Sequence, residues 1–333
     1  MMGFEFRFPS FDFRRFRVAS LKSGVEPETR DPKPETSREA KLQTFFDPEF
    51  LSKIERLRLV AKRLSWSGFK GEHPSLRKGF SLEFSDYRKY QRGDDLRYVD
   101  WNIYRRLDRL CLKLFTAEEE LNVYLMIDTS RSMAEGDPPK IEYAKRVAAA
   151  LGYIGLKNLD RVGATAFSAR ALLPLEMGRG RRQILALFSF LAGLSCRGET
   201  DLEAAVQSFS ALFPRTGLVV LVSDLFDPEG WRAGLEALLR KGYQVLVIHI
   251  LDEREISVAP RGDVSLFDVE SERERRLFLD DALVERFDEE LRDYLKAVES
   301  FCISRNVDYL RTTTATPFED FVLLTLRQIR SIK

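Results

Sequence analysis

The sequence predicts a doubly wound α/β fold, in which helices cover both faces of a mostly parallel sheet. From residue 121 onward, short apolar runs alternate with amphipathic helical segments, which is typical of βαβ units. The first run, residues 121–127, ends in Asp128 and has the character of a strand buried on both faces. An N-terminal helix with an irregular extension precedes this core, and a C-terminal strand–helix extension completes it.

The periodicity of apolar residues predicts the individual elements. Asp47 is a suitable N-cap and Pro48 a suitable first residue for the N-terminal helix, whose apolar stripe continues to residue 64. Strands are predicted at 121–127, 161–167, 172–175, 218–222, 244–250 and 307–310, helices at 141–156, 183–194, 202–213, 230–240, 282–302 and 317–329, and a hairpin or two edge strands at 263–270 and 274–279. Ligands of such sheets bind at the carboxyl ends of the strands.

Composition divides the chain into four expected regions. Residues 1–45 are a basic, Phe-rich tail and linker that we expect to be disordered, with weak contact to an anionic membrane surface as the alternative. Residues 46–117 form a region of distinct, Arg- and Tyr-rich composition, residues 118–255 carry the alternating α/β pattern, and residues 256–333 extend it.

The overall composition excludes several classes of protein. The 333 residues carry 53 basic and 52 acidic side chains, so no strong basic excess favours a nucleic-acid partner. Two histidines make histidine-dependent catalysis a poor expectation. The three cysteines lie far apart, which indicates reduced thiols in a cytoplasmic protein. The longest strongly apolar run is 12 residues, from 184 to 195, and a membrane span needs about 20.

Hydroxyl and carboxylate residues follow two predicted strands and precede one helix. Asp128, Ser130 and Ser132 form a D-x-S-x-S pattern, Asp224 follows the strand at 218–222, and Thr200 stands just before the helix at 202–213. Such oxygens are hard ligands suited to Mg²⁺ or Mn²⁺. The alternative is helix capping, by Ser132 or Asp137 ahead of residue 141 and by Thr200 ahead of residue 202.

The segment from 83 to 114 mixes charges with aromatic residues. Between residues 86 and 109 it holds seven basic and five acidic side chains together with four tyrosines and one tryptophan. A local network of ion pairs and hydrogen bonds is the leading interpretation. Nucleic-acid binding and a catalytic carboxylate cluster are the alternatives, and the acidic residues in the first case would repel phosphate.

Taken together, these motifs resemble a known family. The run from Asp128 to Asp224 resembles the von Willebrand factor A domain and its metal-ion-dependent adhesion site. The segment before it resembles the signature of the bacterial family called domain of unknown function fifty-eight. The matching signature residues, which would be structural or partner-binding, are Asp86, Tyr87, Arg88, Tyr90, Gly93, Asp94, Asp95, Arg97, Asp100, Trp101, Asn102 and Arg106.

The resemblance implies a binding protein rather than an enzyme. Ser130, Ser132 and Thr200 would supply hydroxyl oxygens to Mg²⁺ or Mn²⁺, and Asp128 and Asp224 would bind it directly or through water. The implied partner is a MoxR-type AAA+ ATPase, a client protein, or both. Many members of the family begin with two transmembrane helices, and this chain resembles a soluble form. Glu199 also stands where a small residue is common.

Two other functions remain open from the sequence. One is a Mg²⁺-dependent hydrolase with Asp128 as its nucleophile, although no second acid–base group accompanies Asp128 and no P-loop motif occurs. The other is nucleic-acid binding through the residues from Arg88 to Arg109. The metal-dependent interaction module is the leading expectation.

Overall fold

A computed structural model describes most of the chain. It covers residues 16–20, 48–63, 82–117, 121–169, 171–227, 230–256, 262–268 and 274–331. The predicted tail therefore lies largely outside the described residues, as does Asp47. No helix within the described ranges combines the length and the apolar character that a membrane span requires.

The larger sheet has six strands in the order β11-β8-β7-β4-β5-β6. These are β4 (Asn122–Asp128), β5 (Arg161–Ser168), β6 (Ala171–Gly178), β7 (Leu218–Ser223), β8 (Gln244–Leu251) and β11 (Asp308–Thr313). All neighbours pair in parallel except β5 and β6, which pair antiparallel. The predicted fold class is confirmed, and the carboxyl ends of β4, β7 and β8 meet at one edge.

Helices cover both faces of this sheet. They are α3 (Lys140–Lys157), α4 (Gly180–Ala192), α5 (Leu202–Leu212), α6 (Gly230–Arg240), the short α7 (Glu253–Ile256), α8 (Asp281–Ser304) and α9 (Phe318–Ser331). Tyr124 and Met126 of β4 join the core formed with α5, α6 and α8. Leu125, which points to the opposite face, lies beside Gly152 of α3. Alternate residues of one strand therefore enter two cores.

The N-terminal helix α1 (Pro48–Arg63) packs onto this α/β core. It buries Phe50, Ile54 and Leu57, and the Phe50 ring lies 5.2 Å from the ring of Phe318 in α9. The helix begins at Pro48, as predicted from the preference of proline for the first helical position.

A second, three-stranded sheet contains a strand in the segment where disorder was expected. Its order is β1-β9-β10, with β1 (Phe16–Ser20), β9 (Gly262–Asp268) and β10 (Glu274–Leu279), and both pairings are antiparallel. The β9–β10 hairpin agrees with the sequence prediction. β1 pairs with the side of β9 that β10 leaves open, and Phe16 and Val18 have high β propensity, which favours a strand there.

The chain divides into two compact units. The larger comprises Met1–Phe69 and Asn122–Lys333, and the smaller is Lys70–Leu121. The smaller unit contains the antiparallel pair β2 (Leu82–Lys89) and β3 (Cys111–Ala117) and the short helix α2 (Trp101–Leu107). This division differs from the expected region 46–117, because α1 packs on α3 and α9 in the larger unit.

Candidate metal centre at the carboxyl edge of the sheet

The loop after β4 is fastened to the neighbouring strand. Asp128, the last residue of β4, is fully buried. The backbone N–H and the hydroxyl of Thr129 both donate to the carbonyl of Phe167 in β5, at 2.8 and 2.9 Å. A single 3₁₀ turn, Arg131–Ala134, follows. The loop that carries the D-x-S-x-S residues therefore has a fixed conformation.

Hydroxyl groups surround the Asp128 carboxylate. Its Oδ1 accepts a hydrogen bond from the N–H of Ser130 at 2.9 Å, and its Oδ2 accepts one from the hydroxyl of Ser223 at 2.6 Å. The Oγ atoms of Ser130 and Ser132 lie 2.9 Å apart. The structure thus brings Asp128, Ser130 and Ser132 together and adds Ser223, the last residue of β7.

The loop that carries Thr200 is bound to the same place. The N–H of Arg131 donates to the carbonyl of Gly198 at 2.9 Å, and the N–H of Arg197 donates to the carbonyl of Thr129 at 2.7 Å. Gly198 has a φ of +77°, which suits glycine. The hydroxyl oxygen of Thr200 is buried and has no hydrogen-bond partner among the described residues. Leaving such a group unsatisfied costs about 1–3 kcal/mol.

Helix capping does not account for these hydroxyls. Asp201, not Thr200, is the N-cap of α5, and its carboxylate accepts from the N–H of Ala204 at 2.9 Å. Helix α3 has Pro139 at its N-cap and no side-chain cap, so neither Ser132 nor Asp137 fills that role. The capping alternative drawn from the sequence is therefore wrong.

The second strand-end aspartate, Asp224, is bound to a buried lysine. Lys140, the first residue of α3, is fully buried, and its Nζ donates to Asp224 Oδ2 at 2.7 Å and also to Glu255 of α7. Asp224 Oδ1 accepts from the N–H of Phe226 at 3.1 Å, and the lysine Nζ lies 4.8 Å from the centre of the Phe226 ring. Sequence reasoning missed Lys140, because nothing in its neighbours signals that it is buried.

The two strand-end aspartates, Asp128 and Asp224, lie in different electrostatic surroundings. Burial raises the pKa of Asp128 to about 7, and the nearby Asp224 carboxylate adds to the increase. Burial by itself lowers the pKa of Lys140, but Asp224 and Glu255 more than offset it, so the net pKa is raised. Asp224 therefore has a permanent positive partner, whereas Asp128 is held by neutral groups alone and would be stabilised as a carboxylate by an added cation.

His249 is a buried core residue with a hydrogen-bond partner at each ring nitrogen. Its Nε2 lies 2.8 Å from the backbone carbonyl of Asp224, which can only accept, so Nε2 carries the proton. Its Nδ1 then accepts from the hydroxyl of Tyr309 at 2.8 Å. Burial lowers the pKa of His249 to about 4, so the ring is neutral near pH 7.

The donor set fits a hard cation only if hydroxyl oxygens supply most of the ligands. Within the described residues, no group of three or more His, Cys, Asp or Glu side chains is placed to hold a metal ion. Asp128, Ser130, Ser132 and Thr200 offer one carboxylate and three neutral oxygens. Asp224 is already engaged by Lys140, which favours contact through water. Glu199 is exposed.

The signature residues belong to the smaller unit, where several of them form one network. The hydroxyl of Tyr87 donates to Asp100, whose other oxygen caps α2 by accepting from the N–H groups of Asn102 and Ile103. Ion pairs join Arg88 to Asp94 at 2.8 Å and Arg97 to Asp95 at 2.5 Å. The predicted local network is present. Of the remaining signature residues, Asp86 lies in β2, Tyr90 and Gly93 lie in the loop after it, and Trp101, Asn102 and Arg106 lie on α2.

Comparison with known proteins gives sequence matches that cover most of the chain. The model of a family described as "Protein of unknown function DUF58" matches residues 86–296. Uncharacterized protein Rv1480 of Mycobacterium tuberculosis is 29% identical over 248 residues, which are 72% of this chain and 77% of that protein. Uncharacterized protein Mb1516 of Mycobacterium bovis matches with the same identity and coverage.

Comparison with solved structures gives matches of low sequence identity and low TM-score. The conserved hypothetical protein BatB from Bacteroides thetaiotaomicron is 18% identical, with a TM-score of 0.39, over 63% of this chain and 99% of that one. The SpRpn10 VWA domain is 10% identical, with a TM-score of 0.38, over 62% of this chain and 95% of that one. The family match is the firmer finding: it spans more than half of the sequence, and the chain belongs to the family described as Protein of unknown function DUF58.

Proposed function

We propose that the protein is a non-enzymatic interaction module that binds Mg²⁺, or Mn²⁺, at the edge formed by Asp128, Ser130, Ser132 and Thr200. The observation that carries this proposal is the buried Thr200 hydroxyl without a partner, on a loop bound to the loop of Ser130. A buried oxygen without a hydrogen-bond partner needs a physical explanation, and a bound ion is one. Hydroxyl and carboxylate oxygens are what these two cations prefer.

The residues at this edge would leave a bound cation attractive to a further carboxylate. Asp128 supplies the one carboxylate without a permanent counter-charge, and the three hydroxyls are neutral. Lys140 neutralises Asp224 on the other side. A divalent cation held in this way would supply net positive charge at the protein surface, where an aspartate or glutamate of a partner can complete the ligand set.

We propose that the partner is a MoxR-type AAA+ ATPase, that a client protein is a second partner, and that the interaction takes place in the cytoplasm. This rests on the resemblance of the signature residues rather than on any contact in the structure. The proposal assigns the chain an adaptor role. It would join the ATPase to its client through an interface that dissociates when a chelator removes the cation.

Hydrolysis by Asp128 has less support. Both oxygens of that carboxylate accept hydrogen bonds, and no described histidine faces it, because His249 uses both ring nitrogens elsewhere. A nucleophilic aspartate needs a neighbouring acid–base group to complete a turnover. We therefore propose binding rather than catalysis.

The direct test is binding between the purified chain and its MoxR-type ATPase in Mg²⁺ and in EDTA. Asp128→Ala should weaken Mg²⁺-dependent binding by roughly tenfold or more, the effect expected when a charged contact in an interface is lost. Glu253→Gln is the matched control, because it removes an exposed carboxylate from the same edge of the sheet. Binding that survives both EDTA and Asp128→Ala would refute the proposal.

A further inference from the structure

Exposed apolar side chains are concentrated in the smaller unit. Six of the fourteen large hydrophobic side chains exposed among the described residues fall between residues 87 and 107. These six are Tyr87, Leu96, Tyr98, Trp101, Tyr104 and Leu107. Single exposed apolar residues need no explanation, but a cluster of them marks a surface that contacts something else.

Helix α2 carries the most exposed part of this cluster. Trp101, Tyr104 and Leu107 are spaced three residues apart and lie on one side of the helix, with Trp101 57% and Leu107 64% exposed. The Trp101 and Tyr104 rings meet edge to face, with centroids 6.1 Å apart. No residue of α2 is buried, so packing against the part of the chain that the structure describes does not account for a tryptophan there.

Most of the acidic residues on this surface are neutralised within the unit. Asp94 is bound by Arg88 and by the N–H of Gln91, and Asp95 by Arg97. Asp100 is buried beneath the N-terminus of α2. Hydrogen bonding to the N–H of Gln91 lowers the pKa of Asp94, and Arg88 lowers it further. The acids that would repel an anionic partner are therefore largely engaged.

Four arginines on α2 or in the loops beside it are left without an acidic partner among the described residues. Arg92, Arg105, Arg106 and Arg109 are all exposed, and none forms an ion pair with a described residue. Nearby in the sequence, the exposed Asp108 carries a negative charge that offsets one of the four positive charges. The excess charge of this surface is positive, and guanidinium groups pair with carboxylates through two parallel hydrogen bonds.

We propose that α2, through Trp101, Tyr104, Arg105 and Leu107, together with Arg109 just after the helix, docks an acidic, leucine-containing segment of a partner protein. The arginines would pair with its carboxylates, and Trp101 and Leu107 would cover its apolar side chains. Tryptophan and arginine are the residues that most often dominate binding energy at interfaces. The surface involves none of the proposed metal ligands, so this inference goes beyond the proposed function.

The chemistry of the apolar residues favours a protein over a nucleic acid. Bases stack on aromatic rings and on guanidinium planes, and leucine offers them no comparable face. Leu96 and Leu107 are both highly exposed beside the aromatic residues. Aliphatic and aromatic groups flanked by arginine match an acidic amphipathic segment.

The test measures binding of a labelled synthetic peptide, in which glutamate pairs alternate with leucines, by fluorescence anisotropy of the full chain. Wild type should bind it equally in Mg²⁺ and in EDTA. Trp101→Ala, and separately the double variant Arg105→Ala/Arg109→Ala, should each weaken binding by roughly tenfold or more. Arg181→Ala/Arg182→Ala in α4 removes two adjacent exposed arginines elsewhere and should leave the affinity within about twofold.

Each of the other results would overturn the proposal. A single-stranded oligothymidylate that binds more tightly than the peptide, and is lost in the same variants, would identify a nucleic-acid surface. Equal losses in both double variants would indicate general attraction by charge. No binding by a correctly folded wild type would mean that the α2 surface does not dock acidic segments. Because all measurements are repeated in EDTA, failure of the metal site leaves their interpretation unchanged.

Discussion

Lys140 places a full positive charge inside the edge of the sheet, between two acids. A lysine with no exposed side-chain surface is stable as an ion only because Asp224 and Glu255 both accept its hydrogen bonds. The same contacts fix Asp224 and connect α3 to α7. Removing the lysine would leave two carboxylates facing each other with no counter-charge.

Lys140→Met should therefore destabilise the protein strongly. The expected loss in the free energy of unfolding is about 3–5 kcal/mol, the usual effect of breaking a buried ion pair from one side. Urea unfolding followed by circular dichroism measures it. Lys241→Met, at an exposed position, is the control and should change stability by less than about 0.5 kcal/mol. Similar midpoints for the two variants would contradict this role for Lys140.

His249 and Asp128 respond to pH in opposite directions. The folded-state pKa of His249 is about 4, below its ordinary 6.5, so the unfolded chain binds the proton first and stability falls as pH decreases through that interval. The folded-state pKa of Asp128 is about 7, above its ordinary 3.8, so the folded chain binds the proton first and stability rises over much of the same interval. The two effects partly cancel in the wild type.

Replacing His249 should reveal how much this residue contributes to the pH dependence of stability. His249→Gln keeps a donor and an acceptor in that position but does not titrate. Its stability relative to wild type should rise as pH decreases from about 6.5 toward about 4, by at most about 1.4 kcal/mol per pH unit. Urea midpoints across this range measure the difference. A difference that does not change with pH would show that the histidine is not held neutral.

At the scale of single residues, sequence spacing predicted the hydroxyls and missed the lysine. Asp128, Ser130 and Ser132 were identified from the pattern after a buried strand, whereas the hydrogen bonds between the Ser130 and Thr200 loops were visible only in the structure. Lys140 lies at the start of a helix, where an exposed charge is the ordinary outcome. Its burial depends on two acids from distant parts of the chain, which local pattern does not encode.

Close approach between elements is set by small residues on α3. A Cβ added at Gly152 would come within 2.4 Å of Leu187 Cδ2 in α4 and 3.0 Å of Leu125 Cδ1 in β4. At Gly155, one turn later, the nearest atom would be Val162 Cγ2 at 3.3 Å. Both residues have ordinary helical backbone, so the two positions differ mainly in the space available.

The two glycines should respond differently to alanine. Gly152→Ala should lower stability by about 1–3 kcal/mol, because the added methyl displaces Leu187 or Leu125. Gly155→Ala should be close to neutral, because the gain in helix propensity, about 1 kcal/mol, offsets a milder contact. Thermal and urea unfolding of the two variants give the comparison. Equal losses would mean that the α3–α4 packing adapts to a methyl group.

Most elements were predicted within a few residues, and the differences have physical reasons. The parallel strands are recognisable because both faces are buried, as in β7, where every residue is buried. Strand β6 continues past the predicted end at residue 175 to Gly178, because the polar Glu176 is tolerated in a strand at the edge of the sheet. Strand β1 depends on pairing with β9, more than two hundred residues away, and its own sequence does not reveal that partner.

For the molecule as a whole, the two units carry separate proposals. The larger unit contains the sheet edge with Asp128 and Thr200, and the smaller unit contains the α2 surface. Composition had indicated the change in character between these regions, and it placed α1 with the smaller one. Burial of Ile54 and Leu57, together with the Lys53–Glu319 ion pair at 2.7 Å, explains why α1 belongs to the larger unit.

The measurement that tests the central claim most directly is thermal unfolding at about pH 8, in millimolar Mg²⁺ and in EDTA, for wild type and Asp128→Asn. If Mg²⁺ binds, the melting temperature of wild type should rise by several degrees, since saturation about 100-fold above Kd adds about 2.7 kcal/mol. Asp128→Asn should melt at or above wild type in EDTA, because it removes a buried carboxylate whose pKa is raised, and should not respond to Mg²⁺. An equal shift in both proteins, or none in wild type, would contradict a cation site at Asp128.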